Sequence, residues 1–288
     1  MKEYVIYTDS ACDIDPKLLS EWGVGVIPLT FRFSDEDKEY TSYDMESRTF
    51  YDRMRTGGVA KTAAINSETF SKEFEKALAE KKDVLYLSFS SGLSTTFNSS
   101  RIASEQLAEK YTENKVYIFD TLAASAGQGL LVKLVVDKKN EGADIEQAFE
   151  YAKSIVLNIC HWFTVDDLVY LKRGGRISSA AAFFGTVIGI KPVLHVDNEG
   201  HLINVQKVRG RKSAIAALAD QYGETALDKV NGTVFISHAD CESEARSLAD
   251  ILSTRYGASV TLVTDISPVI GAHSGPGTIA LFFVGSKR

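Results

Sequence analysis

Cysteine is scarce in this chain, and the three that occur, Cys12, Cys160 and Cys241, are widely separated. An odd number without any CxxC pair signals neither a disulfide framework nor a cysteine zinc site. No two of the five histidines stand at metal-ligand spacing. The fragment HADCE (His238 to Glu242) is an isolated coincidence, so no metal is expected. Long apolar runs are also missing. The longest uncharged one, AAAFFGTVIGI from Ala180 to Ile190, falls well short of the roughly 18 to 20 residues of a membrane span. The N-terminal apolar run meets Asp9 too early for a signal peptide. A reduced, cytoplasmic location is therefore expected. Positive charge is in deficit, with 32 Lys and Arg against 38 Asp and Glu, which argues against a nucleic-acid partner. Neither GxxxxGK[ST] nor a strand followed by GxGxxG occurs, which disfavours a nucleotide, and no cofactor is expected.

What is present is ordinary for a globular protein: 44% hydrophobic and 24% charged residues over 288 positions, enough for a large core and for two domains. Short apolar runs alternate with amphipathic ones. EYVIYTD, SEWGVGVIPLTFRF, DVLYLSFS and KVYIFD read as strands, and SDEDKEY as an acidic loop. TFSKEFEKALAEKK, TTFNSSRIASEQLAEKY, GQGLLVKLVVDKKNEG and DIEQAFEYAKSIVLN read as helices. Strands separated by helices predict right-handed crossovers and a mainly parallel sheet. The rhythm changes near residue 160, where two extended runs meet at the turn DNEG. Helix, strand, helix and strand follow, and the Gly/Pro-rich AHSGPG precedes a last apolar strand. The fold class is α/β, with expected domains 1–165 and 166–288.

The stretch VLYLSFSSGLSTTFNSS, from Val84 to Ser100, starts as a strand and becomes a row of hydroxyls around Gly92. Three readings are open. Ser94 fits half of the G-x-S-x-G nucleophile pattern, but Thr96 stands where the second glycine belongs. A strand ending in Ser/Gly and opening a helix presents free N–H groups, so Ser91, Gly92 and Ser94 could cradle an anion. The same serines could simply cap the helix near Thr95. Thr62 lies in a second hydroxyl-bearing turn, and neighbouring loops at the carboxyl end of a parallel sheet share a crevice. Asn66 or Ser67 caps the helix after it. His273, in an exposed Gly-rich loop, is a better site candidate than His161, His195, His201 or His238, which adjoin apolar or strand-like runs. Asp166-Asp167 suits a helix N-terminus. Lys172, Arg173 and Arg176, with Lys207, Arg209, Arg211 and Lys212, form two basic clusters. Either they lie on solvated turns or they meet a phosphate-bearing partner.

Together these segments resemble the DegV family over essentially the whole chain. The residues that carry the resemblance are TDSACDI, KTAAIN, SSGLSTTFNSS, DTLAASAGQG, DDLVYLKRGGRIS, GIKPVLHVDNEG, KVRGRKSA and the late HSGPG, in that order. The resemblance implies two α/β domains with a long-chain fatty acid, such as palmitate, stearate or oleate, held between them. Its tail would lie in an apolar tunnel of the first domain and its carboxylate in the interdomain crevice. By position, Thr62 and Ser94 look like the carboxylate-binding hydroxyls, and His273 like the residue approaching from the other domain. The resemblance implies a carrier, with no catalytic residue, that presents its lipid to a separate ATP-dependent fatty acid kinase for acyl-phosphate formation. Arg173, Arg176, Lys207 and Arg209 are then candidates for docking that kinase, and transient contact with a membrane surface is compatible with the role. Two departures stand out. Ala63-Ala64-Ile65-Asn66 replaces the Ser-Gln-Pro-Ser continuation common in the family, and Thr95 stands where glycine is common. The alternatives from the residues alone are a serine hydrolase acting on acyl esters through Ser94 and a phosphate-recognising regulatory module.

Overall fold

The computed structural model describes residues 2–177 and 189–288, so most of the apolar run at 180–190 lies outside the described residues. The first half contains β1 (Tyr4–Asp9), α1 (Pro16–Glu21), β2 (Val24–Ile27), β3 (Thr30–Phe33) and β4 (Tyr40–Thr41). Next come α2 (Ser47–Arg55), β5 (Ala60–Ala63), α3 (Ser67–Ala79), β6 (Asp83–Ser88) and α4 (Thr96–Lys110), then β7 (Val116–Asp120), α5 (Ala126–Asn140) and α6 (Ile145–Ile155). The second half runs β8 (Ile159–Thr164), α7 (Val169–Arg173), β9 (Ile190–Val196), β10 (Leu202–Arg209) and α8 (Arg211–Thr225). It ends with β11 (Val234–His238), α9 (Glu242–Tyr256), β12 (Val260–Asp265), α10 (Pro268–Ser274) and β13 (Ile279–Val284).

As expected, the N-terminal sheet is parallel, in the order β2-β1-β6-β7. Every residue of β6 is buried, as the near-continuous apolar run VLYL requires of a strand covered on both faces. Helix α3 begins where Asn66 accepts a hydrogen bond from the Thr69 N–H, as the capping reading expects. The run SEWGVGVIPLTFRF is not one strand. Pro28 has no N–H to donate, and the chain leaves the parallel sheet there. β3 instead joins β4 and β5 in a small antiparallel sheet covered by α2.

The second sheet is mixed, in the order β10-β9-β8-β13-β11-β12. Because β8 pairs with β13 and β9, the changeover precedes Ile159. The strand β8, which falls within the expected first domain 1–165, thus belongs to the second sheet. The first two turns of α5, Ala126 to Val132, are buried all round, and one core cluster joins Leu130, Leu131 and Val135 to Leu85 and Leu87 of the first sheet and to Phe163 and Phe282 of the second. Among the described residues no helix is long and apolar enough to cross a membrane.

Candidate functional site

A cavity of about 330 Å3 lies where the two sheets, β5 and α10 converge. Most of its wall is apolar, with Leu29, Phe89, Leu93, Phe163, Val269 and Phe282 among the lining side chains. Thr62, Ser94, Arg176 and His273 also line it, and no carboxylate does among the described residues.

Thr62 is held by strand pairing rather than by a turn, since β5 places it opposite Phe31 of β3. Its hydroxyl lies 2.8 Å from His273 Nε2. His273 is in the last turn of α10 and only partly exposed, so the expectation of an exposed loop is corrected. The helix starts with Pro268 and stops at Gly275, whose φ of 81° suits a residue without Cβ. Burial, with the nearby Arg176 charge adding to it, lowers the His273 pKa to about 4, so its ring is neutral at physiological pH.

Ser94 stands just before α4. Its Oγ lies 2.9 Å from the Thr96 hydroxyl and accepts a hydrogen bond from the Thr96 N–H at 3.2 Å. One serine thus closes the helix start and faces the cavity. Thr95, at the N-cap position, makes no side-chain capping bond.

Arg176, grouped with the docking candidates on sequence grounds, lines the cavity instead. Its guanidinium donates to the Leu93 carbonyl at 3.1 Å and the Gly174 carbonyl at 2.5 Å. Burial lowers its pKa, and no carboxylate pairs with it among the described residues. A half-buried cation without a counter-charge is costly unless an anion arrives. Sequence reasoning missed this inward orientation, because RGGR does not disclose which arginine turns inward.

Ser91 and Gly92 are not brought to the cavity wall. Ser91 is exposed, and its N–H donates to Asp120 at 3.2 Å. At Gly92 an added Cβ would lie 2.9 Å from the Glu199 carbonyl oxygen, so the glycine lets the β9–β10 turn rest on the β6–α4 loop. Beside it, Ser90 donates to the Gly200 carbonyl at 3.0 Å. We expect Gly92→Ala to lower stability by about 1 to 3 kcal/mol, the usual range for overpacking. Chemical denaturation checks this, and an unchanged midpoint would contradict it.

Arg173, Lys207 and Arg209 are exposed, and the Arg173 guanidinium lies 5.7 Å from the Tyr170 ring centre. Arg211 is occupied by Glu244 at 2.9 Å. Asp167 accepts from the Val169 N–H at the start of α7, in keeping with the helix-start reading. Asp166 instead pairs with Lys191 at 2.7 Å.

A family model described as "Uncharacterised protein, DegV family" matches residues 3–286. The chain belongs to the DegV family. A DegV domain-containing protein of Clostridium perfringens (strain 13 / Type A) is 37% identical, covering 100% of this chain and 99% of that one. A Thermotoga maritima fatty acid-binding protein is 33% identical, with 95% of each chain covered. The solved structure of a DegV family protein from Thermus thermophilus, described for its fatty acid binding, superposes with a TM-score of 0.89 at 28% identity. That match covers 99% of this chain and 100% of the other. DegV relatives are thus described as fatty-acid-binding proteins and not as enzymes.

Proposed function

We propose that this chain binds a long-chain fatty acid, with its tail in the apolar cavity and its carboxylate among Arg176, Thr62, Ser94 and His273. It then presents the head group to a separate ATP-dependent fatty acid kinase. The observation that carries the reading is the polarity of the cavity: a largely apolar wall that also carries the Thr62 and Ser94 hydroxyls, a neutral His273 and an arginine, Arg176, with no carboxylate partner among the described residues. A tail of about fifteen methylenes contributes roughly 12 kcal/mol of gross transfer energy at about 0.8 kcal/mol each. Association entropy and chain ordering offset much of that. Each hydrogen bond to a charged head nets only about 1.5 to 3 kcal/mol. The tail therefore supplies affinity, and the polar cluster fixes which end comes to rest at Arg176.

A hydrolase acting through Ser94 finds no support, because Ser94 is paired with Thr96 and His273 with Thr62, and among the described residues no base bonds to the serine. Denaturing mass spectrometry of protein purified from bacterial cells should reveal co-purified acyl chains. An empty protein that also fails to bind added palmitate or oleate would refute the proposal. The double variant Thr62→Ala with Ser94→Ala should weaken palmitate binding by about tenfold or more. Unchanged affinity and unchanged acyl-phosphate yield with the kinase would reject those two assignments. Charge reversal at Arg173 and Arg209 should impair phosphorylation and spare lipid binding. If lipid binding is lost in a folded protein, the docking role is wrong.

A further inference from the structure

Two consecutive glycines follow α7, and they are glycines for different reasons. Gly175 has a φ of 69°, in the left-handed region, and an added Cβ would meet nothing within 4 Å. Gly174 has a φ of −71° and a ψ of −14°, angles open to any residue. A Cβ added there would lie 2.2 Å from His273 Nδ1 and 3.1 Å from the ring Cγ. The His273 ring occupies the place that a side chain at 174 would need.

That ring has few other ties. Its Nε2 lies 2.8 Å from the Thr62 hydroxyl, and its Nδ1 has no hydrogen-bond partner among the described residues. A histidine ring turns easily about its last torsion, so packing sets its plane. The contact is matched in the other direction. Gly275 follows α10, and a Cβ there would lie 2.2 Å from the ring of Tyr170 in α7. The ends of the two short helices thus hold each other, a ring over a glycine on both sides. The same turn carries Arg176. Its guanidinium donates to the Gly174 carbonyl at 2.5 Å, and its N–H donates to the Leu171 carbonyl at 3.1 Å.

We infer that Gly174 is a positioning residue for the head-group grip: its missing side chain is what lets the His273 ring reach Thr62, beside the Arg176 guanidinium that its carbonyl holds. Gly174 does not itself line the cavity. The inference rests on the fatty-acid reading above and adds to it a residue that acts on the carboxylate only through another.

The test is Gly174→Ala, one added methyl at backbone angles that alanine adopts freely. Affinities for palmitate and for hexadecanol are measured on the delipidated full chain. The ratio of palmitate to hexadecanol affinity should fall by about fivefold or more, because a displaced His273 ring deprives the charged head of a hydrogen bond and spares the tail. Equal losses for the two ligands, or none, would overturn the inference. In a His273→Ala background, which empties the space over Gly174, the same substitution should change the ratio by less than about twofold. An equal fall in both backgrounds would show that Gly174 does not act through the ring. In ligand-free protein the nitrogen-15 signal of His273 Nε2 should shift in Gly174→Ala as the Thr62 bond is lost, and an unmoved signal would also overturn the inference. If Gly174→Ala does not fold, the double variant with His273→Ala decides: recovered folding supports the contact, and failure of both contradicts it. A wild type that does not bind palmitate would instead refute the fatty-acid reading, so the two failures are distinguishable.

Discussion

Replacing Arg176 by methionine should weaken palmitate binding by about tenfold to a hundredfold, the loss of a charge-assisted contact worth about 1.5 to 3 kcal/mol. Binding of hexadecanol, which has the same chain and no charge, should change far less. The contrast matters because Arg176 also holds the Leu93 and Gly174 carbonyls, and a merely structural role would weaken both ligands together. Methionine keeps the length and the apolar stem of arginine, so the cavity wall stays filled. Equilibrium dialysis with each labelled ligand measures the two affinities. Equal losses would show that Arg176 shapes the wall without meeting the head group.

The second large effect concerns Asp13, which is 5% exposed. It joins parts of both halves: its carboxylate accepts from the Ser125 hydroxyl and from the Ser267 N–H just before α10. Its backbone carbonyl accepts from Thr264 at 3.0 Å. Burial raises its pKa to about 7; hydrogen bonds from Ser125 and Ser267 oppose the rise, and the charge of Asp265 adds to it. A carboxyl whose pKa is higher in the folded than in the unfolded chain binds more protons when folded. Its stabilising contribution is complete below the unfolded value near 3.9 and is lost as pH rises through about 7. The loss amounts to about 4 kcal/mol on that linkage. In the variant Asp13→Asn, the side-chain amide would accept from the Ser267 N–H and donate to Ser125, without the titration. Denaturant midpoints measured from pH 4 to 8 should therefore fall more steeply in wild type than in Asp13→Asn. Parallel curves would contradict this assignment.

Much of the scaffold is legible in the sequence because its residues face one demand each. β6 is buried on both sides and is written as an apolar run, and α3 places Phe70, Phe74, Ala77 and Leu78 on one buried face. The reading fails where a residue serves two masters. Pro28 divides an apolar run that looks like one strand, because composition does not report which sheet a strand joins. Gly271 within α10 and Gly275 and Gly277 just after it make the segment look like a loop, although Pro268 at its first turn and Gly275 at its end form a helix start and stop pair. α2 carries Phe50, Tyr51 and Met54 on its buried side, among charges that hide the pattern.

The candidate site divides in the same way. Thr62, Ser94 and His273 follow from the family resemblance, and the fold brings all three to the cavity wall. Ser91 and Gly92 enter through the reading of a Ser/Gly strand end as an anion cradle, yet the tight turn after β6 sends consecutive residues to different surroundings. Arg176 escapes a sequence reading because whether an arginine after two glycines points into a cavity is decided by tertiary packing, which no local pattern encodes.

The central claim is the orientation of an acyl chain in the cavity, and a crystal structure of the chain with palmitate tests it most directly. The account predicts continuous density for the tail against Phe89, Leu93 and Phe163, ending in a carboxylate within hydrogen-bond distance of the Thr62 and Ser94 hydroxyls and beside Arg176. A carboxylate at the opposite end of the cavity, or palmitate bound outside it, would contradict the account.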